Sequence, residues 1–378
     1  MSASHSRAAS FPSPSRCMQS SRVLLKENVN FEEISSNGDW AMGKPTARDL
    51  AAAAGVSLST VDRVLNNRGA VSEDKERRVL EYARKLKIDR ALNQRAARTL
   101  RIAVLLQSRA NPFHAAVQDS FEAANRDFLQ YNLQFQVYHI DPTRPAATVA
   151  LTNALSLRCD GLVIVSPQNE DIAAALRAFG QNGKPVITLA TDIRDAGRYA
   201  YVGPDNRKAG RVAGDLMGRL LGEEGGEIVV ISGMLSMIGH EEREMGFRAV
   251  LRERYPQCKV AEVVESMERG ERAGDLVFNA LKGNPRIRGI YNASAGARSV
   301  ASAMNALGRR SDIVFITHEL TDERRQLMRE GMIDAIIDQN PVVEVRTAVE
   351  ALAAHFRRKD EPPISLMTPI QVHMIENC

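Results

Sequence analysis

The chain has 378 residues, 44% hydrophobic and 25% charged, with a formal net charge of +4; that length can bury two or three cores of an ordinary soluble protein. No apolar run approaches the ~20 residues needed to span a bilayer, which sets aside a membrane-spanning role. The four cysteines, Cys17, Cys159, Cys258 and Cys378, are scattered without a C-x-x-C pair, which argues against a zinc site or disulfide framework, calls for no metal or cofactor, and fits a reducing cytoplasm.

Residues 1–43 are Ser-rich, contain Pro12 and Pro14 and show no sustained apolar period, so a disordered extension is expected there. The first 26 residues hold four basic and no acidic side chains, yet Val23-Leu24-Leu25 is too short an apolar core for a secretory signal. Met42-Gly-Lys-Pro-Thr46 lies immediately before the first helix. Translation is therefore expected to start at Met42, with residues 1–41 absent from the native protein.

From Thr46 to Asn66 the pattern is a helix, a turn centred on Gly55 and a second helix, an arrangement that presents one helix to a DNA major groove. Thr46 caps the first helix with Asp49 in a capping-box position, and Gly55 ends it. Ser57 caps the second. There Val61, Val64 and Leu65 form the apolar stripe, which leaves Ser59, Thr60, Asp62, Arg63 and Asn66 outward. Between Lys44 and Arg101 stand 14 Lys/Arg against 7 Asp/Glu, a net of +7 in a chain of only +4. Charge concentrated this way marks a phosphate-binding module rather than a helical hairpin without a ligand. A third helix is expected from Ser72 to about Leu86, with Val79, Leu80, Ala83 and Leu86 as its buried stripe.

Gly55-Val-Ser-Leu-Ser-Thr-Val-x-Arg-Val-Leu-Asn66, followed by Val71-Ser72, resembles the N-terminal module of the lac-repressor (LacI) family of transcription regulators. The likeness runs from about Lys44 to near the C-terminus. It implies a helix-turn-helix domain over 44–88 in which Ser59 and Arg63 read bases and Ser57, Thr60, Asn66 and Ser72 contact phosphate; Thr46, Leu58 and Arg95 complete the implied DNA-binding set. Asp62 departs from the Ser common in the family. The resemblance makes residues 89–100 a hinge whose Arg90, Arg95 and Arg98 track phosphate, but the usual Pro-Asn opening is missing. Ala97 stands where the minor-groove wedge leucine belongs, with Leu92 and Leu100 as displaced candidates.

Beyond Arg101, strands are expected at Ile102–Leu106, Phe135–Ile140, Gly161–Val165, Pro185–Leu189, Glu227–Ile231, Lys259–Val264, Gly289–Tyr291, Ile313–Ile316 and Asp334–Ile337. They alternate with amphipathic segments such as Ala115–Leu129, Asp171–Phe179, Arg207–Leu221 and Ala297–Leu307. Continuous apolar strands separated by helices imply an α/β fold of parallel sheets covered on both faces, here two Rossmann-like lobes. Ligands in such folds bind outside the C-terminal strand ends. This part resembles the type I periplasmic sugar-binding proteins and the effector domains of LacI regulators, through Asn111-Pro-Phe113, Pro185–Leu189, Asp205-Asn206 with Ala209-Gly210, Arg243-x-x-Gly-Phe247, His318-Glu-Leu-Thr321 and Asp338-Gln-Asn-Pro341. An effector-binding and dimerisation domain is expected over 101–378, with lobe 1 near 101–203 and 340–365 and lobe 2 near 204–339 and 366–378.

The resemblance implies that Phe113 packs on a sugar face, that Asn111 donates to a hydroxyl and that Arg243 forks onto two sugar oxygens. Each has a plainer reading: Pro112 fixing a turn while Phe113 caps the core, and Arg243 in a helix-face ion pair with Glu242 or a neighbour. His318 and Glu319 occupy the place of the aromatic-Asp pair of sugar binders, and a lone histidine at a strand end is commonly a satisfied neutral one. Gln339 matches a ligand-binding glutamine. After Leu189 the usual Asp-Arg is replaced by Ala190-Thr191, with Asp192 next, so Thr191 and Asp192 join the expected site while its ligand departs from ribose. The effector expected is a sugar or sugar alcohol, and the partners expected are double-stranded operator DNA and a second copy of the chain, as a homodimer or a tetramer built from it. Two alternatives remain: a transporter's solute-binding protein, and an enzyme using His318 with Glu319 or Asp192. The chain lacks G-x-x-x-x-G-K-[ST], G-x-S-x-G and H-E-x-x-H motifs.

Overall fold

A computed structural model describes residues 45–65, 71–86, 88 and 98–378, which fall in two compact units that divide after Leu92. In the first unit, α1 (Ala47–Ala54) opens on the expected capping box: the Asp49 backbone N–H donates to Thr46 Oγ1 and the Thr46 backbone N–H donates to Asp49 Oδ2. Gly55 ends it at φ 62°. α2 (Leu58–Leu65) and α3 (Glu73–Lys85) follow. Leu50, Ala54, Val61, Val64, Val79 and Ala83 form a small core, with Leu65, Leu80 and Leu86 at its edge. The stripes set by residue spacing are the faces that the three helices bury.

In the second unit, β1 (Leu100–Leu106), β2 (Leu133–His139), β3 (Gly161–Ile164), β4 (Val186–Leu189) and β5 (Ala200–Val202) make a five-stranded parallel sheet in the order β2-β1-β3-β4-β5. Both faces are covered. Ile102, Val104 and Leu106 pack with Phe121 and Val349, whereas Ala103 and Leu105 pack with Leu162 and Leu176. Such two-sided burial explains why β1 reads as a continuous apolar run. The strand starts at Leu100, whose backbone N–H donates to Asn132 O and whose side chain is buried. Leu100 is thus a strand residue in the lobe core and not a wedge leucine. Helices α4 (Pro112–Asp127), α5 (Pro145–Ser156) and α6 (Glu170–Gly180) complete this lobe's βα units.

The second lobe holds β6 (Gly226–Ser232), β7 (Cys258–Glu265), β8 (Ile287–Asn292), β9 (Val314–His318), β10 (Ala335–Asp338) and β11 (Gln371–His373) in the order β11-β10-β9-β8-β6-β7. Its strands are parallel except β11, which runs against β10. Helices α7 (Asn206–Leu221), α8 (Ile238–Arg254), α9 (Gly270–Gly283), α10 (Ala297–Ala306) and α11 (Asp322–Arg329) connect them, and α12 (Pro341–His355) returns to the first lobe. β5 and β11, of three residues each, are too short to register as apolar runs. Two of the segments joining the lobes lie side by side: the Gly203 N–H donates to Leu366 O, and the Thr368 N–H donates to Gly203 O at 2.9 Å.

α7 and α8 approach through glycines. A Cβ on Gly210 would lie 1.9 Å from the Arg243 carbonyl oxygen, and one on Gly246 would lie 2.1 Å from that of Arg207. Gly210→Ala therefore forces the helices apart, and a loss of at least about 1–3 kcal/mol is expected. It should appear as a lower midpoint in urea unfolding of the full chain; an unchanged midpoint contradicts this packing.

Candidate effector site and DNA-binding surface

The C-terminal ends of the strands of both lobes converge on one cavity of about 30 Å³, room for one or two water molecules between closed lobes. The first lobe contributes Asn111 and Phe113 after β1, Val165 after β3 and Ala190-Thr191 after β4; the second contributes Arg243 from α8, Glu268 after β7, Ser294 after β8, Glu319 after β9 and Gln339 after β10. Hydrogen bonds cross the gap at several points, among them Asn206 Nδ2 to Ala190 O at 3.0 Å and Arg194 Nη2 to Glu241 Oε2 at 3.3 Å. The Gly239 N–H donates to Thr191 Oγ1 at 2.9 Å, the Gln168 N–H donates to Ser236 O at 2.7 Å, and Asn111 Nδ2 donates to Glu268 Oε2 at 2.8 Å.

Arg243 lies inside the protein, 3% exposed, and makes no helix-face ion pair. Its Nε donates to Asn206 Oδ1 at 2.8 Å, Nη1 to Ala293 O at 3.2 Å and Nη2 to Gln339 Oε1 at 3.0 Å. One planar fork thus joins the start of α7, the end of β8 and the end of β10. Gln339 presents its other side to Glu319, whose carboxylate is also 3.4 Å from Arg324 Nη1. Glu319 holds φ at +65° and Ala190 at +59°, left-handed conformations that cost a non-glycine residue free energy and turn the chain sharply at the cavity wall. Asn111 caps α4 by accepting from the Phe113 N–H. Phe113 joins the first lobe's core and also faces the cavity, so its core role and its wall position coexist.

Two expected site residues lie elsewhere. Asp192 is turned away from the cavity: Arg198 Nε and Nη2 donate to its two oxygens at 2.5 and 2.6 Å, and Thr188 Oγ1 donates at 2.7 Å. β9 runs on through His318, which places that side chain on the same face as Ile316. The imidazole is buried with its Nε2 2.7 Å from Tyr291 Oη, and burial holds it well below its ordinary pKa, neutral. It is a satisfied core histidine and is not among the residues that line the cavity.

The structure adds residues without a sequence signal. Glu268 follows two charged and apolar runs that look like any strand end, and only the fold brings it opposite Asn111. Burial, then the neighbouring Glu319, pushes its carboxyl up to about 7 against the pull of Arg243. His240 and His114, also on the cavity, are held at about 3 by burial. Glu344, fully buried in the first turn of α12, is raised well above its ordinary value by burial, and neither carboxyl oxygen has a partner among the described residues.

In the helical unit, Leu58 is 45% exposed and Ser59 and Arg63 are exposed, while Val61 and Val64 are buried beneath them. Ser57 Oγ accepts from the Thr60 N–H at 3.1 Å and lies 2.9 Å from Ser59 Oγ. Ser72 is exposed directly before α3, and Thr46 is exposed at the α1 cap. Asn66 and Arg95 fall outside the described residues, as do Leu92 and Ala97.

Residues 102–360 match the family described as periplasmic binding protein domain, and residues 46–87 match the bacterial regulatory proteins of the lacI family. The chain is similar to the ribose import binding protein RbsB of Escherichia coli strain K12, 24% identical over 244 residues, 64% of this chain and 79% of that one. It is also similar to the HTH-type transcriptional regulator DegA of Bacillus subtilis strain 168, 26% identical over 242 residues, 62% of this chain and 70% of that one. An ABC-transporter solute-binding protein of Burkholderia graminis, solved with D-arabinose, shares the fold at a TM-score of 0.68 and 24% identity, covering 74% of this chain and 97% of that one. The two lobes and their cleft thus define a binding protein of the periplasmic type. With the DNA-binding segment ahead of it, the chain belongs to the LacI family of transcription regulators.

Burial alone would raise Asp192, but the hydrogen bonds from Arg198 and Thr188 outweigh it and hold the carboxyl below its ordinary value. A carboxyl lowered in the folded state stabilises the fold above its unfolded pKa, and that contribution disappears as pH falls through the folded one. Asp192→Asn should therefore lower the melting temperature at pH 7 and flatten its fall below about pH 4, with ligand affinity unchanged. Loss of ligand binding with intact stability is the contrary result.

Proposed function

We propose that this regulator senses a small polyhydroxylated molecule, a sugar or sugar alcohol, in the cleft between its lobes, and that occupancy sets its affinity for operator DNA. One observation carries the reading: a lacI-family DNA-binding segment and a two-lobed cleft lined by Asn111, Arg243, Glu319 and Gln339 belong to one chain. These four, with Phe113 and Thr191, form the proposed effector set; Asp192 and His318 are left out of it. Arg243 and Gln339 hold donors and acceptors in fixed planar arrays, which suits the adjacent hydroxyls of a polyol.

On the DNA side, Ser59 and Arg63 are the proposed base readers, Ser57, Thr60 and Ser72 the phosphate contacts, and Leu58 an exposed apolar contact. The protein acts in the cytoplasm as a homodimer, placing two α2 helices in successive major grooves. A ligand that binds the closed lobes better than the open ones shifts the balance between them. A coupling of about 1 to 3 kcal/mol changes operator affinity some 5- to 150-fold. The RbsB relatives favour the same cleft chemistry in a transport role, but the DNA-binding segment places this chain among regulators.

The test combines a thermal-shift screen of sugars and sugar alcohols with gel shifts on the adjoining intergenic DNA. A true effector raises the melting temperature by mass action and alters DNA retention. Arg243→Ala should abolish the ligand-induced shift. Arg63→Ala should cost about 1 to 3 kcal/mol and relax specificity at one base pair; an unchanged ratio of operator to random-duplex affinity contradicts that role.

A further inference from the structure

We propose that the cleft takes an aminated polyol, an amino sugar or amino alditol, whose ammonium group is received by the carboxylate of Glu268. The inference rests on the polyol reading above and narrows its ligand class. Its starting point is an atom. Glu268 Oε1 is fully buried and finds no hydrogen-bond partner among the described residues, on a side chain only 8% exposed that lines the cavity. The group facing it at 3.6 Å is His240 Nδ1, which accepts from the Met234 N–H and so has no proton to donate to the carboxyl. The other oxygen, Oε2, is met by the neutral amide of Asn111. Among the described residues no cation hydrogen-bonds to this carboxyl. By contrast, Glu319 has Arg324 beside it, and Asp338 Oδ1 accepts from the Leu320 N–H.

The seat is built for this side chain. Met267 and Glu268 both hold positive φ, 54° and 59°, and the Met267 N–H donates to Gly233 O at 2.8 Å. Gly233 lies directly beneath: a Cβ there would stand 1.6 Å from Glu268 Oε1. Two consecutive left-handed non-glycine residues over an obligatory glycine are strain held in place around one carboxyl.

The charged and titratable groups facing Glu268 are Arg243 and His240 from α8, Glu319 beyond β9, and His114 on α4. The two histidines are neutral. Arg243 and Arg324 are balanced by Glu319 and Asp338, so the cleft is neutral while Glu268 keeps its proton and carries one excess negative charge once it loses it. A hydroxyl cannot cancel that charge, whereas an ammonium group can. On binding, the ligand nitrogen donates to Oε1, the carboxyl proton leaves to solvent and no covalent bond changes. The position of the carboxyl near pH 7 makes that exchange accessible under ordinary conditions.

The full-length protein is titrated calorimetrically with D-glucosamine, D-galactosamine, D-mannosamine and 1-amino-1-deoxysorbitol, each against its parent sugar or alditol. At least one aminated ligand should bind tenfold or more tightly than its parent, releasing about one proton per site at pH 6; the release should shrink as pH rises through 7 and turn to net uptake at pH 8 for the hexosamines, whose own amines are then partly deprotonated, measured by comparing buffers of different ionisation enthalpy. Glu268→Gln, which keeps the shape of the protonated acid, should melt normally and reduce that preference to within about twofold. If the parents bind as well as the aminated forms, or the preference survives in Glu268→Gln, the ammonium assignment falls while the polyol reading stands. If neither group binds, both fall.

Discussion

The receptor is organised around one buried guanidinium. Arg243 donates to an amide oxygen on α7, a backbone oxygen after β8 and an amide oxygen after β10, all neutral acceptors, and its nearest carboxylate in this network, Glu319, is reached only through Gln339. Its charge reaches far. It opposes the upward drift of Glu268 and Glu344 and helps to keep His240 and His318 unprotonated. A buried cation is tolerable only when its N–H groups are satisfied, and here satisfaction requires three chain segments to meet. The bare backbone of Gly210 lets the helix bearing Arg243 come close enough for this. Helix packing, crossover position and cleft electrostatics are thus one constraint seen from three sides.

The cleft is narrow, lined by both polar and apolar side chains and spanned by a handful of hydrogen bonds. Closure therefore rests on a small number of contacts, among them that of Thr191 with Gly239 and that of Asn111 with Glu268. A ligand that replaces the latter takes over its role in holding the lobes. Asn111 and Thr191, both in the proposed effector set, are also bonded across the cleft, so a ligand that meets them would act on lobe closure.

Much of this architecture was legible in the sequence because its signals are local. The β1 run from Ile102 to Leu106 is apolar on both faces, Gly55 marks a left-handed turn, and the Val61/Val64 stripe has helical spacing; each depends on residues within a turn or a strand of one another. Asn111, Phe113, Thr191, Glu319 and Gln339 reach the cavity because they follow strands, where α/β folds place ligands, and Arg243 reaches it from the second turn of α8. His318 and Asp192 broke the pattern for specific reasons. β9 continued two residues beyond its apolar run and carried His318 into the core, and Arg198, six residues downstream, drew the Asp192 carboxylate aside. Glu268 was invisible because its significance lies in Gly233, His240 and Asn111, none of them near it in the chain. β5 and β11 were missed because three residues make no periodicity.

The paired crossings at Gly203 and Thr368 have a mechanical consequence. Two adjacent segments joined by a parallel bridge resist sliding past each other more than they resist bending. With the connection at Asn340 as a third tether, sliding or twisting one lobe against the other would strain these bonds, whereas rotation about an axis close to the bridge would leave them intact.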